Sequence, residues 1–279
     1  MDGDVSMVDL IPSNDDMEKE LQMDFEFFQF QKEDYHDVKQ GLRFYLNGEV
    51  FELEELSDEL IEQFYVGSTI KVNDGENFVG MLSAFNITHH SSKASVQSIK
   101  NWMLTKIASN QDKAALTSLL NGDKGNVALI ISERIESVPV QLTPHLYTQL
   151  YTEIEKAYQQ EKDDKVKEFE YQFDYLLLKS RVFYVKADQS RKAKQSKTSM
   201  NDTLDMQVSS EELEKCYFNP EEELIEKYAT MTWVSEPKII DCTNPNSMDR
   251  KVVKEEFVLS AIPWKTFPTM CTSLQNTIL

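Results

Sequence analysis

The feature that most constrains the fold is a short apolar run in the middle of the chain, residues 127–131. All five residues are apolar, and three of them are β-branched. Gly125 precedes the run and Pro139 closes the stretch after it, so its length and boundaries are those of a strand. Successive strand side chains point to opposite faces, so a run that is apolar throughout is covered on both sides. The pattern predicts a central strand of an α/β sheet, with Leu129 and Ile131 buried.

Three polar residues, Ser132, Glu133 and Arg134, follow this run directly. A charged side chain is not tolerated in a core unless it is paired. One interpretation is that the strand emerges at Ser132 and that the charges are solvated or hold a loop. The other is that Glu133 and Arg134 bond to neighbours and form a polar site at the strand end, where open α/β sheets bind ligands.

The hydrophobic pattern elsewhere predicts strands and helices that follow one another along the chain. Strands are predicted at 23–30, 68–73, 78–88, 231–234 and 256–262, and helices at 32–47, 53–66, 95–109, 112–120, 143–161, 211–230 and 267–279. The helix at 211–230 is either continuous or broken at Asn219 and Pro220. The order predicts an α/β fold, a mixed sheet flanked by helices.

Several local features carry their own expectations. Ser95 and Thr143 are predicted as N-caps, and Pro144 as a first-turn proline. The strand signal at 169–186 is too long for one ordinary strand, so a bend or a hairpin is expected near Lys179, Ser180 and Arg181. A loop is expected at 239–250.

Composition divides the chain into a tail and one domain. Residues 1–21 are acidic and sparsely apolar, and we expect a disordered tail. Residues 22–279 are predicted to form a single domain with a polar, mobile insertion at 188–210. The tail lacks the features of a signal peptide, and no apolar run is long enough to span a bilayer.

Charge is concentrated at one end. The net charge is −19, of which residues 1–62 carry −15. Such a field repels nucleic acid and attracts basic proteins. The predicted second helix has an acidic face made of Glu54, Glu55, Asp58, Glu59 and Glu62. This face is either a solvated helix exterior or a docking surface for a basic partner.

No catalytic, cofactor or metal site is predicted. The eight glycines form neither a phosphate-binding loop nor a dinucleotide fingerprint, and the acetyltransferase glycine signature is absent. His89 and His90 are adjacent, and adjacent residues of a strand point to opposite faces, which makes a poor metal site. The three cysteines fit neither a disulfide framework nor a zinc spacing.

Several segments, taken in order, resemble the BCCIP family. They are 23–28 (Met-Asp-Phe-Glu-Phe-Phe), 126–134 (Asn-Val-Ala-Leu-Ile-Ile-Ser-Glu-Arg), 138–139 with 144–147 (Pro-His-Leu-Tyr), 173–178 (Phe-Asp-Tyr-Leu-Leu-Leu), 217–218, 220–223 (Pro-Glu-Glu-Glu) and 226–229 (Glu-Lys-Tyr-Ala).

This resemblance implies a fold like that of the GNAT acetyltransferases, without their cofactor loop or activity. It implies a nuclear protein that shuttles to the cytoplasm and acts by binding. Fungal relatives are described as escorting a large-subunit ribosomal protein and a phosphoinositide kinase. Animal relatives are described as binding a recombination mediator and a cyclin-dependent kinase inhibitor.

The leading hypothesis is therefore a non-enzymatic acidic chaperone for a basic ribosomal protein, with a role in ribosome biogenesis and nuclear export. Nuclear transport machinery is a further expected partner; direct nucleic-acid binding and a membrane are not expected. Two alternatives stay open, a GNAT-type acetyltransferase and a general nuclear interaction hub in cell-cycle or DNA-repair control.

Overall fold

The computed structural model describes residues 24–63, 65–73, 75–186, 213–241 and 252–279. The predicted tail at 1–21 and the predicted insertion at 188–210 lie outside these residues. Among the described helices, none is both long enough and apolar enough to cross a membrane.

The described strands form one mixed nine-stranded sheet with the path β1-β2-β3-β4-β5-β9-β7. β6 pairs with β5, and β8 pairs with β9. The pair β4 and β5 is parallel, and the other pairs in the described sheet are antiparallel. The strands are β1 (Phe25–Gln29), β2 (Ser68–Val72), β3 (Asn77–Asn86), β4 (Val127–Arg134), β5 (Tyr175–Lys186), β6 (Leu213–Tyr217), β7 (Met231–Val234), β8 (Lys238–Asp241) and β9 (Val252–Pro263).

Seven α-helices flank the described sheet. They are α1 (Tyr35–Leu42), α2 (Leu53–Glu62), α3 (Ala94–Lys106), α4 (Asn110–Leu120), α5 (Thr143–Asp163), α6 (Glu221–Glu226) and α7 (Phe267–Ile278). Short 3-10 turns lead into α1, α5 and α7. The predicted α/β architecture, a mixed sheet flanked by helices, is confirmed.

Two hydrophobic cores lie on the two faces of the sheet. Helices α1 to α4 cover one face, and α5 to α7 cover the other. Along β4, Leu129 and Ile131 enter the first core, while Ala128 and Ile130 enter the second. Leu129 and Ile131 are both 0% exposed, which confirms the predicted central strand.

The bend or hairpin predicted near Lys179 is wrong, because β5 is one unbroken strand of 12 residues. It stays extended because β9 pairs with it continuously from Tyr175 to Tyr184. Its other edge changes partner: β4 pairs with it only as far as Leu178, and β6 begins at Val182. The two parallel strands therefore separate. We call the space between residues 132–134 of β4 and 179–181 of β5 the fork.

The helix predicted over 211–230 is wrong in its first part. Leu213–Tyr217 is strand β6, and the helix is limited to Glu221–Glu226. The local pattern is overridden because the edge of β5 beyond the fork offers backbone hydrogen bonds to a strand. The loop predicted at 239–250 is wrong at its start for a similar reason, since β8 pairs with β9.

Both predicted N-caps are displaced. Lys93 is the N-cap of α3, and the Ser95 N–H donates to the Glu55 carboxylate of α2 instead. Leu142 is the N-cap of α5, and the Thr143 hydroxyl donates to the Val140 carbonyl. Pro144 does lie in the first turn of α5, as predicted.

Candidate functional site

The polar residues after the central run lie on β4 itself. The strand continues through Arg134, and Ser132 to Arg134 pair with Leu82 to Gly80 of β3. The interpretation in which the strand emerges at Ser132 is therefore wrong. All three flank the fork from its β4 side, and their side chains alternate between the two faces of the sheet. Ser132 and Arg134 point to the face covered by α5 and α6, and Glu133 points to the opposite face.

Arg134 is held by a paired carboxylate from α6. Its Nη1 and Nη2 donate to the two oxygens of Glu221 at 2.5 and 2.8 Å. The Arg134 side chain is 8% exposed and the Glu221 side chain 0% exposed, so this two-bond contact is desolvated. Burial lowers the pKa of Arg134, but the Glu221 hydrogen bond and charge outweigh it and raise the pKa overall. The pair joins the end of β4 to α6.

Gly80 makes room for this pair. It is the register partner of Arg134, and a Cβ at Gly80 would lie 2.7 Å from the Arg134 Cβ and 2.9 Å from the Glu133 carbonyl. Real Cβ atoms do not approach that closely, so the strand pairing needs glycine at this position.

Glu222 enters the fork beside Glu221 and is 2% exposed. Burial raises its pKa to about 8, against a hydrogen bond from Asn219, which lowers it. The charge of Glu221 adds to the increase, and the charge of Lys179 opposes it. Near neutral pH this carboxyl group therefore holds a proton for much of the time.

On the opposite face of the sheet, Glu133 of β4 and Lys179 of β5 influence each other electrostatically. Burial raises the pKa of Glu133, and the charge of Lys179 opposes that shift. Burial lowers the pKa of Lys179, and Glu133 opposes it in turn. The Lys179 ammonium lies 5.0 Å from the centre of the Tyr45 ring and 5.9 Å from that of Trp102. Two aromatic rings thus lie within cation–π range of the Lys179 ammonium.

The Arg134–Glu221 pair neutralises two buried charges and fastens α6 to the sheet where β4 and β5 separate. Nothing in the local pattern of Arg134 points to Glu221, which is 87 positions away. The only sequence signal is the acidic run after Pro220, which is equally typical of a solvated helix start.

The second predicted site, the acidic face of α2, divides into two sets. Glu55 and Glu59 are half-buried and turn toward α3. The Glu55 carboxylate accepts the Ser95 N–H at 2.6 Å, and this hydrogen bond is the main cause of its lowered pKa. Glu59 pairs with Lys93, the N-cap of α3, and also lies beside His90. These two carboxylates hold α2 against the start of α3.

Glu54, Asp58 and Glu62 form the outer set, one helical turn apart and exposed. Lys39 donates to Glu54 at 2.6 Å, which lowers the pKa of Glu54. Asp58 and Glu62 form no ion pair within the described part of the chain. The outer set thus presents carboxylates to solvent.

A shallow open groove of about 850 Å³ runs along this helix. We call it the acidic groove, because six of its ten lining residues are acidic. It is lined by Lys39, Phe51, Glu52, Leu53, Glu54, Glu55, Asp58, Glu59, Glu62 and Lys93. Phe51 and Leu53 give it an apolar part, and the neighbouring Val50 is 100% exposed.

Comparison with known proteins adds an independent line of argument. The BCCIP family profile matches residues 20–225. Protein bcp1 of Aspergillus oryzae is 31% identical over 81% of this chain and 77% of its own. The BCCIP homolog of Arabidopsis thaliana is 29% identical over 71% of this chain and 61% of its own.

A solved structure confirms the fold. The crystal structure of BCP1 from Saccharomyces cerevisiae superimposes with a TM-score of 0.58 over 95% of this chain and 93% of that chain. The two sequences are 17% identical, so this likeness speaks for the fold alone. The more specific prediction, a fold like that of the GNAT acetyltransferases, stays a prediction. From the profile match and the fungal relatives together, the chain belongs to the BCCIP family.

Proposed function

We propose that this protein is a non-enzymatic acidic binding protein that escorts a basic client, a ribosomal protein of the large subunit. The observation that carries the proposal is the acidic groove. It combines exposed carboxylates at Glu54, Asp58 and Glu62 with an apolar part at Phe51 and Leu53. A basic segment with one apolar side chain would find complementary charge and a place to bury that side chain.

The spacing of the outer carboxylates suits a peptide segment with several basic side chains. Residues four apart on a helix lie about 6 Å apart along its axis. Glu54, Asp58 and Glu62 therefore form a line of roughly 12 Å, long enough to face several cationic side chains of one segment. Exposed charges of this kind mainly steer encounter, and Phe51 and Leu53 would slow dissociation.

The proposed escort role explains why the net charge of the whole chain is negative. A ribosomal protein is strongly basic and binds RNA of any sequence through the phosphate charges. A partner with a net charge of −19 masks those cations until assembly. In this proposal the protein acts in ribosome biogenesis, reaches the nucleus and shuttles to the cytoplasm with its client, with nuclear transport machinery as a second partner.

The test is the association rate with purified large-subunit ribosomal proteins at low and high salt. The test variant carries Glu54→Lys, Asp58→Lys and Glu62→Lys; Glu55 and Glu59 stay, because they hold α3. The control carries Glu155→Lys, Asp163→Lys and Glu168→Lys, three exposed acids outside the groove, with the same change in net charge.

At low salt we expect the test variant to associate about 10-fold more slowly than the wild type and the control to change much less. Screening at high salt should bring the three rates together. Equal slowing in both variants would mean that net charge, not the groove, attracts the client.

Two further measurements decide between the alternative functions. Acetyl-CoA should not raise the thermal unfolding midpoint; saturable stabilisation would favour the acetyltransferase. Affinity purification from cells should enrich basic ribosomal proteins, whereas a set of neutral or acidic partners alone would favour the general nuclear hub.

A further inference from the structure

Three potential metal ligands converge at the end of β3. His89 and His90 lie in the turn after this strand, and Glu170 lies in the loop between α5 and β5. One ligand atom from each of the three lies within 4.8 Å of the other two. The sequence argument against this pair assumed a strand, in which the rings would point apart. In the turn, the two imidazole ring centres are 5.0 Å apart.

The buried side chain of Asn86 positions both backbone segments. Its Oδ1 accepts the N–H groups of Thr88 and His89 at 3.0 and 2.9 Å, which fixes the turn. Its Nδ2 donates to the Glu170 carbonyl at 2.5 Å. A single amide, 1% exposed, therefore ties the histidine turn to the carboxylate loop.

The loop that carries Glu170 and the ring of His90 are each held by further contacts. The Glu161 carboxylate on α5 accepts the N–H groups of Glu170 and Tyr171 at 2.8 and 3.1 Å. The His90 ring stacks on Phe85, with ring centres 4.8 Å apart. The ligand-bearing segments are therefore held before any ion binds.

His90 stands between two carboxylates. Its Nδ1 lies 3.4 Å from a Glu59 oxygen, and its Nε2 lies 2.8 Å from a Glu170 oxygen. A neutral imidazole has one N–H donor and one lone pair, so it cannot donate to both carboxylates. As it stands, the 2.8 Å contact between Nε2 and Glu170 is a hydrogen bond. A cation bound between Nε2 and Glu170 would replace this hydrogen bond, with the ring proton then on Nδ1, facing Glu59.

That arrangement is common around zinc. A ligating histidine usually donates its other ring N–H to a carboxylate, which orients the ring and increases its basicity. Two imidazoles and one carboxylate suit Zn²⁺ and Co²⁺ better than Ca²⁺ or Mg²⁺, which prefer oxygen ligands. Bonds of about 2.0–2.2 Å place tetrahedral ligands roughly 3.5 Å apart, so small side-chain rotations suffice.

We propose that His89, His90 and Glu170 form a binding site for a divalent transition metal of the zinc class, with Glu59 as the carboxylate that orients His90. A water or another donor completes the coordination. The ion ties the turn after β3, the loop before β5 and, through Glu59, helix α2. It therefore acts as a structural cross-link between two connecting segments that lie outside the strand pairing.

The experiment titrates the full chain with ZnCl₂ by calorimetry and with CoCl₂ by visible absorption. The test variants are His89→Ala and Glu170→Gln. Both should leave the fold intact, since His89 is exposed and the Asn86 and Glu161 contacts of residue 170 use its backbone. His145→Ala, an exposed histidine on α5, is the matched control. Control titrations with CaCl₂ and MgCl₂ measure how strongly the acidic protein attracts any divalent cation.

We expect one saturable Zn²⁺ site tighter than about 10 µM, and a thermal midpoint that rises by about 5 °C at 100-fold excess over Kd. Each test variant should weaken binding by at least about 10-fold and reduce the tetrahedral Co²⁺ absorption, and Glu59→Gln should weaken it by about 10-fold. The control should bind as the wild type does.

Three results would overturn the proposal. They are the absence of a saturable Zn²⁺ site, equal affinity in wild type and both test variants, and a loss of affinity in the His145→Ala control as large as in the test variants. The first two are also the results expected if His90 is instead an imidazolium that donates to both carboxylates.

Discussion

The fork and the acidic groove are built from the same residue types and use them in opposite ways. In the fork, Glu221 is buried and matched by Arg134 through two hydrogen bonds. In the groove, Asp58 and Glu62 are exposed, and neither forms an ion pair in the described part of the chain. Burial thus decides whether a carboxylate holds the fold together or stays available to a partner.

The physical reason is the dielectric environment. Two charges interact many times more strongly in a desolvated interior than in water, and each also loses far more hydration energy when it is buried. A buried carboxylate therefore requires its partner. An exposed one gains little from a partner and is screened by salt.

The largest expected effect comes from breaking the buried pair. Arg134→Met leaves Glu221 charged, buried and unpaired, which should lower the free energy of unfolding by about 3–5 kcal/mol. Urea unfolding at neutral pH measures the change. Adding Glu221→Leu removes the orphaned charge and should recover most of the loss. A single-variant loss below about 1 kcal/mol would mean that water reaches Glu221 easily.

The second prediction concerns Glu222, whose pKa in the folded protein is about 8 against an ordinary value of 4.5. Between these pH values the folded state keeps a proton that the unfolded chain releases, so stability from this group falls as pH rises and levels off above pH 8. Glu222→Gln mimics the protonated form. It should match the wild type near pH 4.5 and be more stable by about 2–4 kcal/mol at pH 9.

The exposed neighbour Glu223 provides the control for this measurement. Glu223→Gln should leave the pH dependence of unfolding unchanged, since that side chain lies in solvent. Parallel pH profiles for wild type and Glu222→Gln would show that Glu222 is ionised in the folded protein across this range.

The smallest predicted effect separates the two sets of acids on α2. Glu55→Ala removes the acceptor of the Ser95 N–H at the start of α3 and should cost about 1 kcal/mol, since the carboxylate is partly solvated. Asp58→Ala, one residue from the inner set, should leave the urea midpoint unchanged. Equal losses would show that the division into inner and outer acids has no energetic meaning.

The core of this fold could be predicted because its signals are local. The apolar run of β4 is visible in five consecutive residues. β6 could not be predicted in the same way. Its extended conformation depends on the edge that β5 offers beyond the fork, and that edge exists only once the sheet has formed.

The candidate sites show the same limit. The polar residues on β4 could be identified from the sequence, but their partners on α6 and β5 could not, because no local pattern connects them. The acidic face of α2 was also visible. The division of these acids into an inner and an outer set was not visible in the sequence, because this division depends on how the start of α3 packs against α2.

The pairing of β5 with β6 fixes where the stretch between these two strands begins and ends. Lys186 and Leu213 are register partners, so the 26 residues between them start and end at adjacent points of the sheet. Strand partners lie about 5 Å apart, so the pairing of β5 with β6 fixes the separation of these two ends whatever the number of residues between them. Residues can thus be gained or lost between Lys186 and Leu213 without shifting the register of β5 against β6.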